Sequence, residues 1–294
     1  MKTNRLFNKI VKIAAVLMVV FSLTGCTVPT DPVTNEPIYI DLTTTFADMS
    51  EQKAGIFDIV LTYPLAQAIN FLSDKVGVFG GVALITLIIN LILLAFTYKS
   101  SESMQKMQMI QPEIDRIQKK YEGNDSQAAK AQMSQEMQRL FEKNNINPLS
   151  SLTSFLQLPI FFCMYSAIRR SYAVAHGTFL GVSLQQTPSE GFGKGEVVII
   201  VIYICMIVFQ LLSTLAPQLL SSIKRRREAK IHHKPYVKAQ NNNMFMMYGM
   251  VLLIAWVMLS WPTALSLYYA IVSVINILKT VAIEIIMQRK EANK

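Results

Sequence analysis

Val78-Phe79-Gly80-Gly81-Val82-Ala83-Leu84-Ile85-Thr86-Leu87-Ile88-Ile89-Asn90-Leu91-Ile92-Leu93-Leu94-Ala95-Phe96-Thr97-Tyr98 decides the fold of this chain. It holds neither an acid nor a base, and at about 1.5 Å per helical residue it is long enough to cross roughly 30 Å of hydrocarbon. Four more stretches repeat that signal, at 149–168, 197–220, 244–260 and 263–287. The fourth is short, and only Trp261-Pro262 separates it from the fifth, which predicts a tight hairpin at a membrane surface. Composition agrees: 52% of the 294 residues are hydrophobic and 16% charged, with a mean hydropathy of +0.34 and a net charge of +9. A soluble domain normally carries about 25% charge, so lipid is the expected solvent and a soluble secreted or cytosolic enzyme is excluded. Three cysteines are too few for a disulfide framework.

The N-terminus carries Lys2, Arg5, Lys9 and Lys12, then an apolar run over 13–23, then Leu23-Thr24-Gly25-Cys26. That is the layout of a secretory signal, too short for a comfortable span. The small residues before Cys26 resemble the lipobox of bacterial lipoproteins, in which the cysteine sulfur receives diacylglycerol and residues 1–25 are removed. An uncleaved anchor with an ordinary cysteine is the alternative. Pro29, Pro32 and Pro37 among polar residues predict an extended external tether over 26–54. In the segment 55–77, Pro64 can open an interfacial helix with Leu65, Ala68, Ile69, Leu72 and Val76 on one face. Gln67, Asn70 and Asp74 lie on the other.

Lysine and arginine set the orientation. They crowd the segment 99–147 and the loop 222–243, which are therefore expected in the cytoplasm, while acids dominate the region up to Gly77. Arg169 and Arg170, at the outer end of the second span (148–170), are expected to reach the headgroups with their long stems. The segment 99–147 reads as two polar helices joined at Glu122-Gly123-Asn124-Asp125, with little bulky apolar material to bury. Its Met104, Met107, Met109, Met133 and Met137 either offer clients a soft surface or glue the two helices together. The remaining divisions are spans at 78–98, 197–221, 244–260 and 263–287, an external loop at 171–196 and a basic tail at 288–294. The fold class is an all-α polytopic membrane protein of five spans, with a cytoplasmic helical hairpin and an external interfacial helix.

Ser103-Met104, Met107-Gln108, Gln111-Pro112-Glu113, Gln118-Lys119-Lys120-Tyr121, Asn147-Pro148-Leu149, Leu156-Gln157-Leu158-Pro159-Ile160-Phe161 and Trp261-Pro262-Thr263-Ala264-Leu265-Ser266-Leu267-Tyr268-Tyr269 occur in order and at characteristic spacing. Together they resemble the YidC/Oxa/Alb family of membrane protein insertases, over about 55–287. A lipoprotein signal without a large external domain is similar to the form found in Gram-positive bacteria. The resemblance implies a hydrophilic groove that opens to the cytoplasm and to lipid and passes nascent membrane proteins into the bilayer. It implies no nucleotide hydrolysis, no cofactor and no metal, and a plasma-membrane protein with its lipid-anchored N-terminus outside and its C-terminus in the cytoplasm.

Such a groove needs polar groups at half depth, because carrying peptide groups into hydrocarbon unsatisfied costs several kcal/mol each. Asn90 and Gln157 lie at one depth, about eight residues or roughly 12 Å from the cytoplasmic border. Gln210, Thr86, Ser213 and Ser273 could join them, and Tyr269 stands where the family has an aromatic facing the groove. Interhelical hydrogen bonds that merely hold a bundle are the alternative for the amides. Family members commonly have an arginine where Asn90 stands, so a groove cation is missing. Lys279, at a similar depth in the last span, either replaces it or snorkels to the headgroups.

His232-His233 lacks the companions of a metal site, Gly77 and Gly81 mark either helix packing or a flexible start to the first span, and Cys163 and Cys205 suit packing. Lys224, Arg225, Arg226 and Arg227, with the tail, either contact ribosomal RNA by charge without sequence preference, or set topology on anionic lipid. The Sec channel is a further candidate partner. A non-inserting adaptor of that channel or of a membrane protease is the competing reading; a small transporter is disfavoured by the lack of repeats and the scarcity of charge near the midplane.

Overall fold

The computed structural model describes residues 28–31, 36–51, 55, 58–124, 126–147, 157–231 and 244–292. Cys26, the stretch 149–156 and His232-His233 lie outside them. The described chain is almost entirely helical: α1 (Phe46–Glu51), a π-helical turn (Asp58–Thr62), α2 (Tyr63–Met109), α3 (Gln111–Lys120), α4 (Gln127–Lys143), α5 (Gln157–Arg170), α6 (Tyr172–His176), a two-stranded hairpin of β1 (Thr178–Phe179) and β2 (Val182–Ser183), α7 (Pro188–Lys194), α8 (Val197–Ile231), α9 (Met244–Met258) and α10 (Thr263–Ala292). Among the described residues, three stretches are long and apolar enough to cross a membrane: Asp58–Leu94, Val197–Arg227 and Thr263–Arg289. Tyr248–Met258 is a shorter apolar helix. Along α8, Val197, Val201, Ile204, Val208 and Leu212 stand exposed at three- and four-residue steps. On α9, Leu252, Leu253 and Trp256 do the same. Apolar stripes of that extent suit hydrocarbon and not water.

The chain forms two compact units. The first draws on 1–88, 154–203 and 258–268, the second on 89–153, 204–257 and 269–294.

In the first unit, α2 breaks at Gly77, whose φ of 78° lies in the left-handed region where only glycine is comfortable. The break separates the segment read as interfacial from the one read as the first span. Gly81 has a steric reason of its own, since a Cβ there would sit 2.2 Å from the Ser73 hydroxyl oxygen. The glycines therefore serve a kink and a close approach.

The N-terminal piece of α2 docks through Ile69 of its apolar face, which is fully buried, and also through Asn70 and Gln67 of its polar face, while Asp74 stays exposed. Asn70 is 4% exposed, donates to the Ile40 carbonyl at 2.6 Å, and accepts from the Ser171 hydroxyl at 2.7 Å and the Ala173 N–H at 3.0 Å. Gln67 donates to the carbonyls of Asp41 (2.6 Å) and Thr44 (3.0 Å), while the apolar Phe71 and Val76 remain exposed. The reason is local chemistry. The Asp41 carboxylate accepts from the N–H groups and hydroxyls of Thr43 and Thr44, turning the chain so that its carbonyls face α2. Those bonds, the Thr43 hydroxyl first, hold the Asp41 carboxyl below its ordinary value.

Part of the expected tether is thus fixed. Ile40 is fully buried, pairs with Ser171 in a parallel bridge, and exchanges backbone bonds with Arg170 and Tyr172. Arg170 does not reach out to headgroups, as its position at the end of a span suggested. It is wholly buried, its Nε–H donates to the Ile38 carbonyl at 3.0 Å, and its Nη2 lies 3.6 Å from the Met49 sulfur. A guanidinium is multidentate and weakly hydrated, so it can serve as an internal strut where a lysine would be expelled.

In the second unit, α3 and α4 are joined by a turn through Tyr121–Gly123 with Gly123 at φ 81°, and Ser126 caps α4 by accepting from Ala129 N–H at 3.2 Å. Ile110, Ile114, Leu140 and Ile146 form a core, packed by Met107, Ile117, Met137 and Phe141. The segment owns more bulky apolar material than its polar composition suggested.

Candidate functional site

The polar residues of the second unit sit on helices that are otherwise apolar. On α8, Gln210 is half-buried, and its Oε1 accepts from the buried Ser273 hydroxyl of α10 at 2.6 Å. The bond ties the two helices, and the Thr214 hydroxyl donates to the Gln210 carbonyl at 2.8 Å within α8. Asn90 on α2, Ser213 on α8, and Tyr269 and Lys279 on α10 are likewise half-buried. Lys279 has no hydrogen-bond or ion-pair partner among the described residues. An ammonium in that position must be met by water or a guest. In the first unit Thr86 is fully buried, and its hydroxyl donates to the Val82 carbonyl of its own helix at 2.6 Å. Gln157 opens α5, and its side chain lies outside the described residues.

A second polar cluster, which sequence reasoning missed, ties three helices of this unit. Lys224, expected in a basic loop facing ribosomal RNA or anionic lipid, lies inside α8 at 9% exposure, with Nζ 3.9 Å from the Glu284 carboxylate of α10. Glu284 is itself 6% exposed and accepts from Gln288 at 3.1 Å. Arg225 donates to the Gln108 carbonyl at 2.7 Å, and Gln105 donates to the Thr280 carbonyl at 3.0 Å. The buried Oε1 atoms of Gln105 and Gln108 and Nε of Arg225 find no partner among the described residues. Buried polar atoms of this kind ordinarily hold water. The available signal was Glu284 itself, the one acid in 263–287.

Arg226 and Arg227 are described within α8 and Arg226 carries a side-chain interaction, so the helix extends well past the apolar stretch. Of the hairpin methionines, Met107 and Met137 pack on its core, and Met104, Met109 and Met133 are half-buried. Among the described residues no three His, Cys, Asp or Glu side chains converge as metal ligands.

The family model described as "60Kd inner membrane protein" matches residues 71–291, three quarters of the chain. The chain belongs to the YidC/Oxa/Alb family. The "Membrane protein insertase YidC" of Enterococcus faecalis is 40% identical over 141 residues, which is 48% of this chain and 51% of that relative. "Membrane protein insertase YidC 2" of Bacillus anthracis is 30% identical over 78% of this chain and 81% of its own length. The Oceanobacillus iheyensis "Membrane protein insertase YidC" is 28% identical over 95% of this chain and 97% of its own length. The family model covers parts of both units, including Arg170 and Ser171 of the first and Asn90, Gln210, Ser273 and Lys279 of the second.

Proposed function

We propose that this chain is a membrane protein insertase of the plasma membrane, and that the half-buried polar row of the second unit is its working surface. The observation that carries the reading is Lys279: a charge on a membrane-length helix, without a partner among the described residues. It stands on the same helix as Ser273, which is bonded to Gln210. Water gathered along such a row shortens the dry path for a client's polar segment. Lowering the barrier for each unsatisfied peptide group needs no nucleotide. Asn90, Gln210, Ser213, Tyr269 and Ser273 supply neutral hydrogen-bonding groups, and Lys279 supplies the cation that Asn90 does not.

Five spans, a lipid anchor at Cys26 on the outer face and a cytoplasmic C-terminus complete this reading. Nascent membrane proteins are the clients, received at the hairpin through Met104 and Met133. The basic stretch from Arg225 to Arg227 serves topology and anionic lipid, with the ribosome and the Sec channel as further partners. The test is reconstitution in liposomes with a single-spanning client. Client segments protected from external protease are expected with the chain present, and no gain over empty liposomes would leave a non-inserting adaptor as the better description.

A further inference from the structure

Residues 177–187, Gly-Thr-Phe-Leu-Gly-Val-Ser-Leu-Gln-Gln-Thr, contain no charge, although a two-residue hairpin turn in water ordinarily carries polar residues. The turn between β1 and β2 is Leu180-Gly181, with φ of 50° and 84°. Two positive φ angles make it a type I′ turn, which selects Asn-Gly or Asp-Gly because the first residue must also be left-handed. Here a leucine takes that strained position and leaves its side chain 73% exposed. Local preference and exposure both speak against leucine, and such conflicts gather where a residue serves something outside the fold.

The hairpin is not free to bury it. Phe179 stacks on Phe79 with ring centroids 4.4 Å apart, and a Cβ on Gly177 would meet Val78 at 2.2 Å, so the base presses on the start of the first apolar span. On the return side, the Leu184 and Gln186 carbonyls accept the first N–H groups of α10, from Ala264 and Thr263, each at 2.9 Å. These bonds satisfy donors that a helix start leaves open. The tip is therefore held beside the ends of two membrane-length helices, with its leucine side chain exposed.

We infer that Leu180 is a lipid anchor: the hairpin tip dips into the headgroup and acyl boundary of the bilayer and contacts phospholipid. The inference rests on the reading of α2, α8 and α10 as membrane-crossing. A diazirine-bearing amino acid placed at 180, in proteoliposomes of phosphatidylglycerol and phosphatidylethanolamine, reads the contact directly. Phospholipid adducts at 180 are expected at a yield comparable to position 212 on the exposed face of α8, and severalfold above position 189 on α7. Adducts at 212 but only water or protein adducts at 180 overturn the anchor. No lipid adducts at 212 overturn the membrane reading and the anchor with it. Leu180→Ala without the probe guards against misfolding: an unchanged melting curve in detergent shows that the adduct pattern at 180 reports a native fold, whereas a large loss assigns the leucine to the fold and overturns the anchor.

Discussion

Asn70 and Asn90 lie on the same helix and are chemically identical, yet they belong to different units and differ in burial. Asn70 is 4% exposed, with both ends of its amide engaged on Ile40, Ser171 and Ala173. Asn90 is half-buried on an apolar span. The same contrast holds for two cations. Arg170 is sealed on the Ile38 carbonyl near Asp58, and Lys279 is open enough to need water. Asn70 and Arg170 are thus sealed by protein partners, whereas the Lys279 ammonium has none among the described residues; under the proposed function, the first pair acts as cement and Lys279 belongs to the working surface.

The largest effect is expected from breaking the cement. Arg170→Leu leaves the Ile38 carbonyl and Asp58 without their cation, and removing one partner of a buried charge ordinarily costs about 3–5 kcal/mol. The melting temperature in detergent should fall sharply and protease should cut within 38–49; an unchanged cleavage pattern would show that the clasp holds without the guanidinium. Asn70→Leu strands at least two buried groups at about 1–3 kcal/mol each and should release the same segment more mildly.

Changing the working surface should spare stability and cost activity. In cells depleted of other insertases, Lys279→Leu should slow insertion of clients with acidic outer segments by about tenfold, equivalent to about 1.4 kcal/mol in a barrier. Adding Asn90→Arg should restore it. Full rescue by Lys279→Leu alone would mean that the row works through neutral groups.

Lys224 and Glu284 test whether the second unit has cement of its own. Glu284→Gln leaves Lys224 buried beside a neutral amide, and a loss of about 1–3 kcal/mol is expected. Lys224→Met with Glu284→Leu should recover most of it, since apolar replacement of a buried pair is often neutral. Thermal melts of the parent chain, Lys224→Met, Glu284→Leu and the double variant measure the coupling, and simple additivity would place the pair in water.

The smallest effect belongs to the hairpin. The Lys120 ammonium, bonded to Glu136, holds that carboxyl below its ordinary 4.5, and Glu136 in turn raises Lys120 above its ordinary 10.5. The depressed Glu136 contributes stability present above the unfolded value and lost as pH falls through the lower folded one. The raised Lys120 contributes stability present below its unfolded value and lost as pH rises through the higher folded one. Lys120 is exposed and Glu136 partly so, so salt should screen the pair. Hydrogen exchange in α3 and α4 should quicken only slightly below pH 4, and a large change would place the pair in a drier setting than its exposure indicates.

Much of this molecule was legible before any coordinates. Runs such as 197–220 and 263–287 announce membrane-length helices, because hydrocarbon tolerates few other solutions for a bare backbone. The turn at Glu122-Gly123-Asn124 and the family likeness carried by Gln111-Pro112-Glu113 are local patterns of the same kind, whereas the helix expected to open at Pro64 follows a π-helical turn that starts at Asp58. What misled was exposure. Lys224 looked like a loop charge because it opens a basic run, and Asn70 looked solvated because it shares a face with Gln67 and Asp74.

The sequence by itself determined which segments are apolar, where glycine and proline break them, and which polar residues stand inside them. These are properties of one residue and its near neighbours, read through a period of 3.6. Only the tertiary structure decided which of those polar residues are satisfied. Ile40 meeting Ser171, Arg170 reaching Ile38, Gln210 meeting Ser273 and Lys224 meeting Glu284 join positions far apart in the chain. Whether a buried amide or cation is cement or working surface depends on such distant partners, whose absence or presence no local pattern records.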